Sequence, residues 1–185
     1  MSYPGYAYGA SEDPNQVNPQ VQQWFSLADA DNSGQITVLE LQRVLANGQG
    51  GTFSIKAVRL LMGMFAKVNK QSINLNEFQA LFCYVNAWLG VFKKYDSDNS
   101  GSIQEKELAS AFEQMGYRLS LDFISFLMSR DCCNNQGSLT VDEFIVLCVQ
   151  IQKFTDEFRV RDTERTGVIK IGFEDFLKVA LSCDV

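Results

Sequence analysis

The sequence predicts an all-α fold of five helix–loop–helix units on about eight helices, with short β-pairs where the loops meet. Three observations predict it. Residues Asp29 to Glu40 and Asp96 to Glu107 share one twelve-residue pattern, with Asp at positions 1 and 3, Ser at 5, Gly at 6, Ile at 8 and Glu at 12. With position 8 as an anchor, three further copies stand at Ile73, Leu139 and Ile169. Apolar residues recur at helical spacing around these anchors, which is the mark of flanking helices that each bury one face.

Taken in chain order, residues 1–18 form an expected flexible tail of Gly, Tyr, Pro, Ser and Asn that includes Tyr3, Tyr6 and Tyr8. The five-unit domain then fills 19–185, with loops at 29–40, 66–77, 96–107, 132–143 and 162–175. Pairs four and eight residues ahead of each loop are apolar: Phe25/Val21, Met62/Val58, Phe92/Trp88, Met128/Ile124 and Phe158/Phe154. Behind the first four loops stand Leu41/Val44, Phe78/Leu81, Leu108/Ala111 and Phe144/Leu147. The anchors lie 37, 30, 36 and 30 residues apart. The short intervals leave no linker, so one helix over about 75–95 serves units two and three, and another over about 141–161 serves units four and five. The long intervals contain glycines that end a helix, and Ser54 and Ser120 are placed to cap the next one.

The composition narrows the chemistry. With 185 residues, 46% of them hydrophobic, the chain can build a sizeable interior, and its net charge of −6 repels nucleic acid phosphates. It has no histidine, which removes His-based general bases, Ser/His and Cys/His pairs and the usual zinc and iron ligand sets. No other acid–base pair is evident, so catalysis is not expected. Cys83, Cys132, Cys133, Cys148 and Cys183 are odd in number and include an adjacent pair, which suits a reduced cytoplasmic setting better than a disulfide ladder. No apolar run approaches the ~18 residues of a membrane span. The residues from Met1 carry no secretory signal or myristoylation glycine, and Cys183 is misplaced for prenylation.

Calcium requires six to eight hard oxygens, a sharp turn at loop position 6 and a bidentate carboxylate at position 12. The first loop offers Asp29, Asp31, Ser33, the Gln35 carbonyl, Thr37 (directly or through water) and Glu40, with Gly34 at the turn. The third offers Asp96, Asp98, Ser100, the Ser102 carbonyl, Gln104 and Glu107, with Gly101 turning. Two calcium ions are therefore expected. In the second loop Ala66, Val68 and Lys70 replace three ligands, so no ion is expected. The fourth has Cys132, Asn134 and Gln136 at positions 1, 3 and 5 and a single acid among its ligand positions, Glu143, so no physiological calcium is expected there; a loop shifted to open at Asp131 is the alternative. The fifth has Asp162, Glu164 and Thr166, but two extra residues move Asp175 out of the bidentate slot, so it would hold an ion weakly or not at all.

Units pair through their position-8 strands, one with two and three with four, which leaves the fifth single. Its Val168, Ile169 and Ile171 form a template for a second chain, and a symmetric dimer would use the same patch on both subunits. A fifth unit folded back on its own chain is the rival arrangement.

Five hands, two shared helices, a lengthened last loop and a Gly/Tyr/Pro head together resemble the penta-EF-hand family. The stretches Tyr95 to Gly101, Met115 to Ser120 and Phe158 to Thr163 are similar to that family in order and spacing. Its regular first loop is similar to one branch of the family rather than to the branch in which that loop is irregular. The resemblance implies a cytoplasmic calcium sensor that dimerises through its fifth hand, with itself or a relative. When loaded it would present apolar surface to partner proteins, often proline-rich peptides, or associate with membranes. It also implies a peptide pocket at Phe82, Tyr84 and Trp88; the alternative is that these aromatics are core, which helical spacing favours for Trp88. In this picture binding draws Glu40 and Glu107 inward and shifts the helices behind them. Two alternatives keep the same sites: a regulatory subunit of a calpain-type protease, and a calcium buffer that barely opens.

Overall fold

Most of the helices begin where a side chain replaces the missing backbone partner of the first turn. In the first, α1 (Pro19–Ala28), the Asn18 side chain accepts from Gln20 N–H at 2.9 Å and proline occupies the first helical position. The structure, a computed structural model, describes residues 18–45, 51–67, 69, 71–131 and 137–183. Among them are eight helices and four two-residue strands. The 1–17 tail lies outside the described residues, as do Val68 and Lys70 of the second loop and Cys132, Asn134 and Gln136 of the fourth.

After the first loop come β1 (Ile36–Thr37) and α2 (Val38–Val44), which opens with a capping box between Thr37 and Glu40. Ser54 caps α3 (Ile55–Phe65), accepting from Ala57 N–H at 3.3 Å. Strand β2 (Ser72–Ile73) leads into α4 (Leu75–Tyr95), a single 21-residue helix closed at its start by an Asn74/Glu77 box. Next are β3 (Ile103–Gln104) and α5 (Glu105–Gln114). Just past the Met115 cap of α5, Gly116 has a φ of 88° that suits a residue without Cβ, and Tyr117 N–H then reaches back to the Phe112 carbonyl at 2.9 Å. Ser120 caps α6 (Leu121–Asp131) through Phe123 N–H, and β4 (Ser138–Leu139) precedes the second 21-residue helix, α7 (Val141–Arg161). The last helix is α8 (Phe173–Cys183). Both shared helices therefore run over the span that the anchor spacing predicts.

The strands form two antiparallel pairs, β1–β2 with Ile36 opposite Ile73 and β3–β4 with Ile103 opposite Leu139. All four anchors are fully buried, so each pair is fixed from one side by the apolar interior and from the other by its ladder. Among the described residues the fifth anchor, Ile169, belongs to no strand.

The chain divides into two compact units, 1–144 and 145–185. In the first, Trp88 and Phe92 each meet the Phe144 ring edge-on at 5.9 and 5.8 Å, and burying such side chains stabilises by roughly 1.5–3 kcal/mol each. A buried carboxylate ties distant segments together here: Asp142 accepts from Ser54 N–H (2.8 Å) ahead of α3 and from the Thr140 hydroxyl (2.7 Å). The second unit consists of the rest of α7, a loop and α8. On it Arg161 pairs with Glu157 at 2.6 Å.

Candidate metal centres

The first loop is built around Asp29, which ends α1. Its two carboxylate oxygens accept from Ser33 N–H (2.9 Å) and Gly34 N–H (2.8 Å), and these bonds bend the chain into a ring. Asn32 at φ 55° and Gly34 at φ 77° supply the two left-handed steps of the turn. Asp31 accepts from the same Ser33 N–H at 3.0 Å, while the Ser33 hydroxyl donates to the Gln35 carbonyl at 3.0 Å. The ring closes through Glu40, the third residue of α2. It takes Ala30 N–H on one oxygen (3.1 Å) and Thr37 N–H and hydroxyl on the other (2.9 and 2.7 Å). The Thr37 hydroxyl, with its backbone N–H, holds the Glu40 carboxyl below its ordinary value against the opposing effects of burial and Asp31. Sequence position makes Thr37 a ligand candidate; here its hydroxyl is directed to Glu40.

The third loop repeats this construction. Asp96 accepts from Ser100 N–H (2.9 Å) and Gly101 N–H (3.0 Å), with Asn99 at φ 55° and Gly101 at φ 77°. Glu107 takes Ser97 N–H (2.8 Å) and Gln104 N–H (3.0 Å). Gln104 adds a side-chain bond to Asp98 at 2.9 Å, and hydrogen bonds from Ser100 lower the Asp98 carboxyl from its ordinary value. Ser102 sits behind, its hydroxyl 3.2 Å from that of Ser100.

The donor set fits a hard divalent cation. In each loop three carboxylates, Asp29, Asp31 and Glu40 or Asp96, Asp98 and Glu107, bring one oxygen apiece within 4.8 Å of one another. Asp29, Glu40 and Asp96 are buried. Among the described residues no lysine or arginine forms an ion pair with any of the six. Converging, part-buried negative charge without a protein cation is what calcium coordination would neutralise.

The second hand holds its last acid as the first and third do but has no acid at position 1. Glu77 accepts from Lys67 N–H (2.8 Å) and Asn74 N–H (3.0 Å), so the second loop closes on its own backbone with Ala66 at position 1. In the fifth, Asp162, Arg165, Thr166 and Gly167 reproduce the turn, with Asp162 accepting from Thr166 N–H (2.9 Å) and Gly167 N–H (2.8 Å). The two extra residues fall between Ile169 and the start of α8. Asp175, third in that helix, pairs with Lys178 at 3.1 Å, and among the described residues Asp162, Glu164 and Asp175 form no cluster like the other two.

Two apolar features accompany the loops. A cavity of about 190 Å³ lies between Trp24 of α1, Val44 and Leu45 at the end of α2, Phe53, and the Phe78–Phe82–Leu89 face of α4. Of the three aromatics expected as a pocket, only Phe82 lines it. Tyr84 and Trp88 are core: Tyr84 packs on Phe65 at 5.3 Å, and Trp88, 1% exposed, packs on Phe144. The helical period separates them, since Phe78, Phe82 and Leu89 share a face that Tyr84 and Trp88 do not. Trp24 and Phe53 were not singled out from the sequence; each looks like an ordinary apolar helix or loop residue there. The second feature is the last unit, where Val168 (73% exposed), Phe173 (75%), Phe176 and Leu181 (73%) lie open and Ile169 and Ile171 are half-buried. No helix among the described residues is long and apolar enough to cross a membrane.

Residues 19–83 match the profile of an EF-hand domain pair and residues 90–112 that of an EF hand. The chain is 38% identical to mouse peflin over 97% of its own length and 65% of peflin's, and it spans 62–65% of the length of the peflins it matches. It is 34% identical to human sorcin, covering 98% of this chain and all of sorcin, and 42% identical to Schistosoma japonicum sorcin over 85% and 92%. The structure of a homolog of programmed cell death 6 protein from Leishmania major Friedlin superposes with a TM-score of 0.80 at 29% identity, over 92% of this chain and 96% of that one.

Proposed function

The chain belongs to the penta-EF-hand family of calcium-binding proteins, and on that premise we propose that it is a non-enzymatic calcium sensor and adaptor. It takes one ion at each of its first and third loops, at Asp29, Asp31, Ser33, Gln35 and Glu40 and at Asp96, Asp98, Ser100, Ser102 and Glu107. The observation that carries this reading is the convergence of three carboxylates in each loop and in no other hand described. Bound calcium supplies the positive charge that allows those carboxylates to share one small volume. Affinity in the sensor range, roughly 10⁻⁷ to 10⁻⁵ M, follows from such a set.

The chain's own residues convert occupancy into shape. Glu40 is both the loop's last oxygen donor and the third residue of α2, so its carboxylate and that helix move together. Helix α2 ends in Val44 and Leu45, a wall of the apolar cavity. A shift of α2 therefore changes the opening between Trp24 and Phe82, where an extended apolar peptide, proline-rich segments included, would seat. Val168, Ile169 and Ile171 of the fifth hand, with Phe173 and Phe176, mediate dimerisation with a second copy or a family relative; exposed apolar area of this kind supports that reading. The protein works in the cytoplasm and reaches membranes through calcium-dependent association.

Fluorescence of an apolar dye tests the switch. Calcium is expected to raise it in the wild type and not in a Glu40→Gln variant. An unchanged signal in the wild type would make the protein a buffer, not a sensor.

A further inference from the structure

The second hand lacks ligands, yet it is tied to the first by more than the strand ladder. The Ser72 hydroxyl donates a hydrogen bond to Oε1 of Gln35. Thr37 stands opposite Ser72 in the ladder, which makes Gln35 its diagonal neighbour, within reach of a long side chain. Ser72 is itself held from behind: its oxygen accepts from the Asn69 side-chain amide (3.2 Å), and its N–H donates to the Asn69 carbonyl (3.2 Å). Asn69 in turn accepts from Gln71 N–H at 3.1 Å. Gln35 is the position-7 residue of the first loop. Its backbone carbonyl, the one expected to face the ion, already accepts from the Ser33 hydroxyl at 3.0 Å. In the third loop the position-7 carbonyl of Ser102 accepts from the Ser100 hydroxyl in the same way, at 2.9 Å, but its side chain stays within its own loop, the Ser102 hydroxyl lying 3.2 Å from that of Ser100.

We propose that the Asn69–Ser72 bracket of the second hand is a fixed strut that aims the Gln35 carbonyl into the first metal site, with Ser72 as the positioning residue. This rests on the reading of the first loop as a calcium site and adds a role for the loop that has none of its own. A backbone carbonyl has no side-chain rotamer with which to find an ion. Its direction is set by the peptide on either side, and anchoring the side chain of the same residue fixes that peptide before the ion arrives. Preorganised ligands lose less freedom on binding. The strut therefore raises affinity at the first site and leaves the third untouched.

Calcium titration calorimetry tests this in a Glu107→Gln background, where only the first site is read. Ser72→Ala is expected to weaken calcium binding there by about three- to tenfold, the range of one net hydrogen bond. Ser72→Thr, which keeps the hydroxyl, restores it. Gln35→Ala should weaken binding by a similar factor, and the double variant no further, because both remove one interaction. In a Glu40→Gln background Ser72→Ala should leave the third site unchanged. Equal affinity for Ser72→Ala and its parent, additive losses in the double variant, or an equal loss at the third site would each overturn the strut. No calcium uptake by the Glu107→Gln parent would overturn the first site itself, and the strut with it.

Discussion

Glu40 shows how one residue joins charge to structure. Thr37 lowers its carboxyl below the ordinary 4.5, and a group depressed in the folded state adds stability above its unfolded value, which is lost as pH falls through its folded one. Thr37→Val should therefore destabilise the metal-free protein by about 1 kcal/mol near neutral pH. That difference should shrink in acid well below 4.5, where Glu40 is protonated in either protein. Chemical denaturation at the two pH values measures it, and an equal difference at both would contradict the role given to Thr37. The acids themselves were legible from loop position, because the twelve-residue spacing with glycine at position 6 admits few geometries. The hydroxyl of Thr37 was not. Its position in the loop allows both a ligand and a cap, and only the rotamer decides.

Among the elements, α4 separates two functions by helical period. Trp88→Ala should cost roughly 3–5 kcal/mol in denaturation, as expected for an aromatic removed from a packed core. Phe82→Ala, on the half-buried cavity face, should cost less than about 2 kcal/mol while reducing calcium-dependent dye binding. Equal destabilisation by both, with dye binding untouched, would remove the cavity from the account. The approximate spans of the two shared helices were readable here because the loops punctuate them: α4 and α7 run uninterrupted where two anchors stand 30 apart. The cavity was not readable. It needs Trp24, Leu45, Phe53 and Phe82 from three helices and a connecting segment, and no local pattern reports which apolar faces fail to fill the space between them.

At the scale of the whole molecule, binding and assembly add to folding. At a free calcium concentration about a hundred times Kd, each occupied site should stabilise the protein by about 2.7 kcal/mol, so chelation should lower its Tm markedly. Light scattering should give twice the chain mass for the wild type, and Phe176→Asp should shift it toward the monomer; a wild-type monomer at all concentrations would reject the dimer. That Ile169, the fifth anchor, belongs to no strand among the described residues agrees with an odd count of anchors, whereas the open face of α8 depends on how that helix lies on its own unit. The most direct test is calorimetric titration of calcium into the metal-free wild type, Glu40→Gln and Glu107→Gln proteins. Two ions per wild-type chain and one in each variant is the predicted result; no binding, or variants that titrate like the wild type, would contradict it.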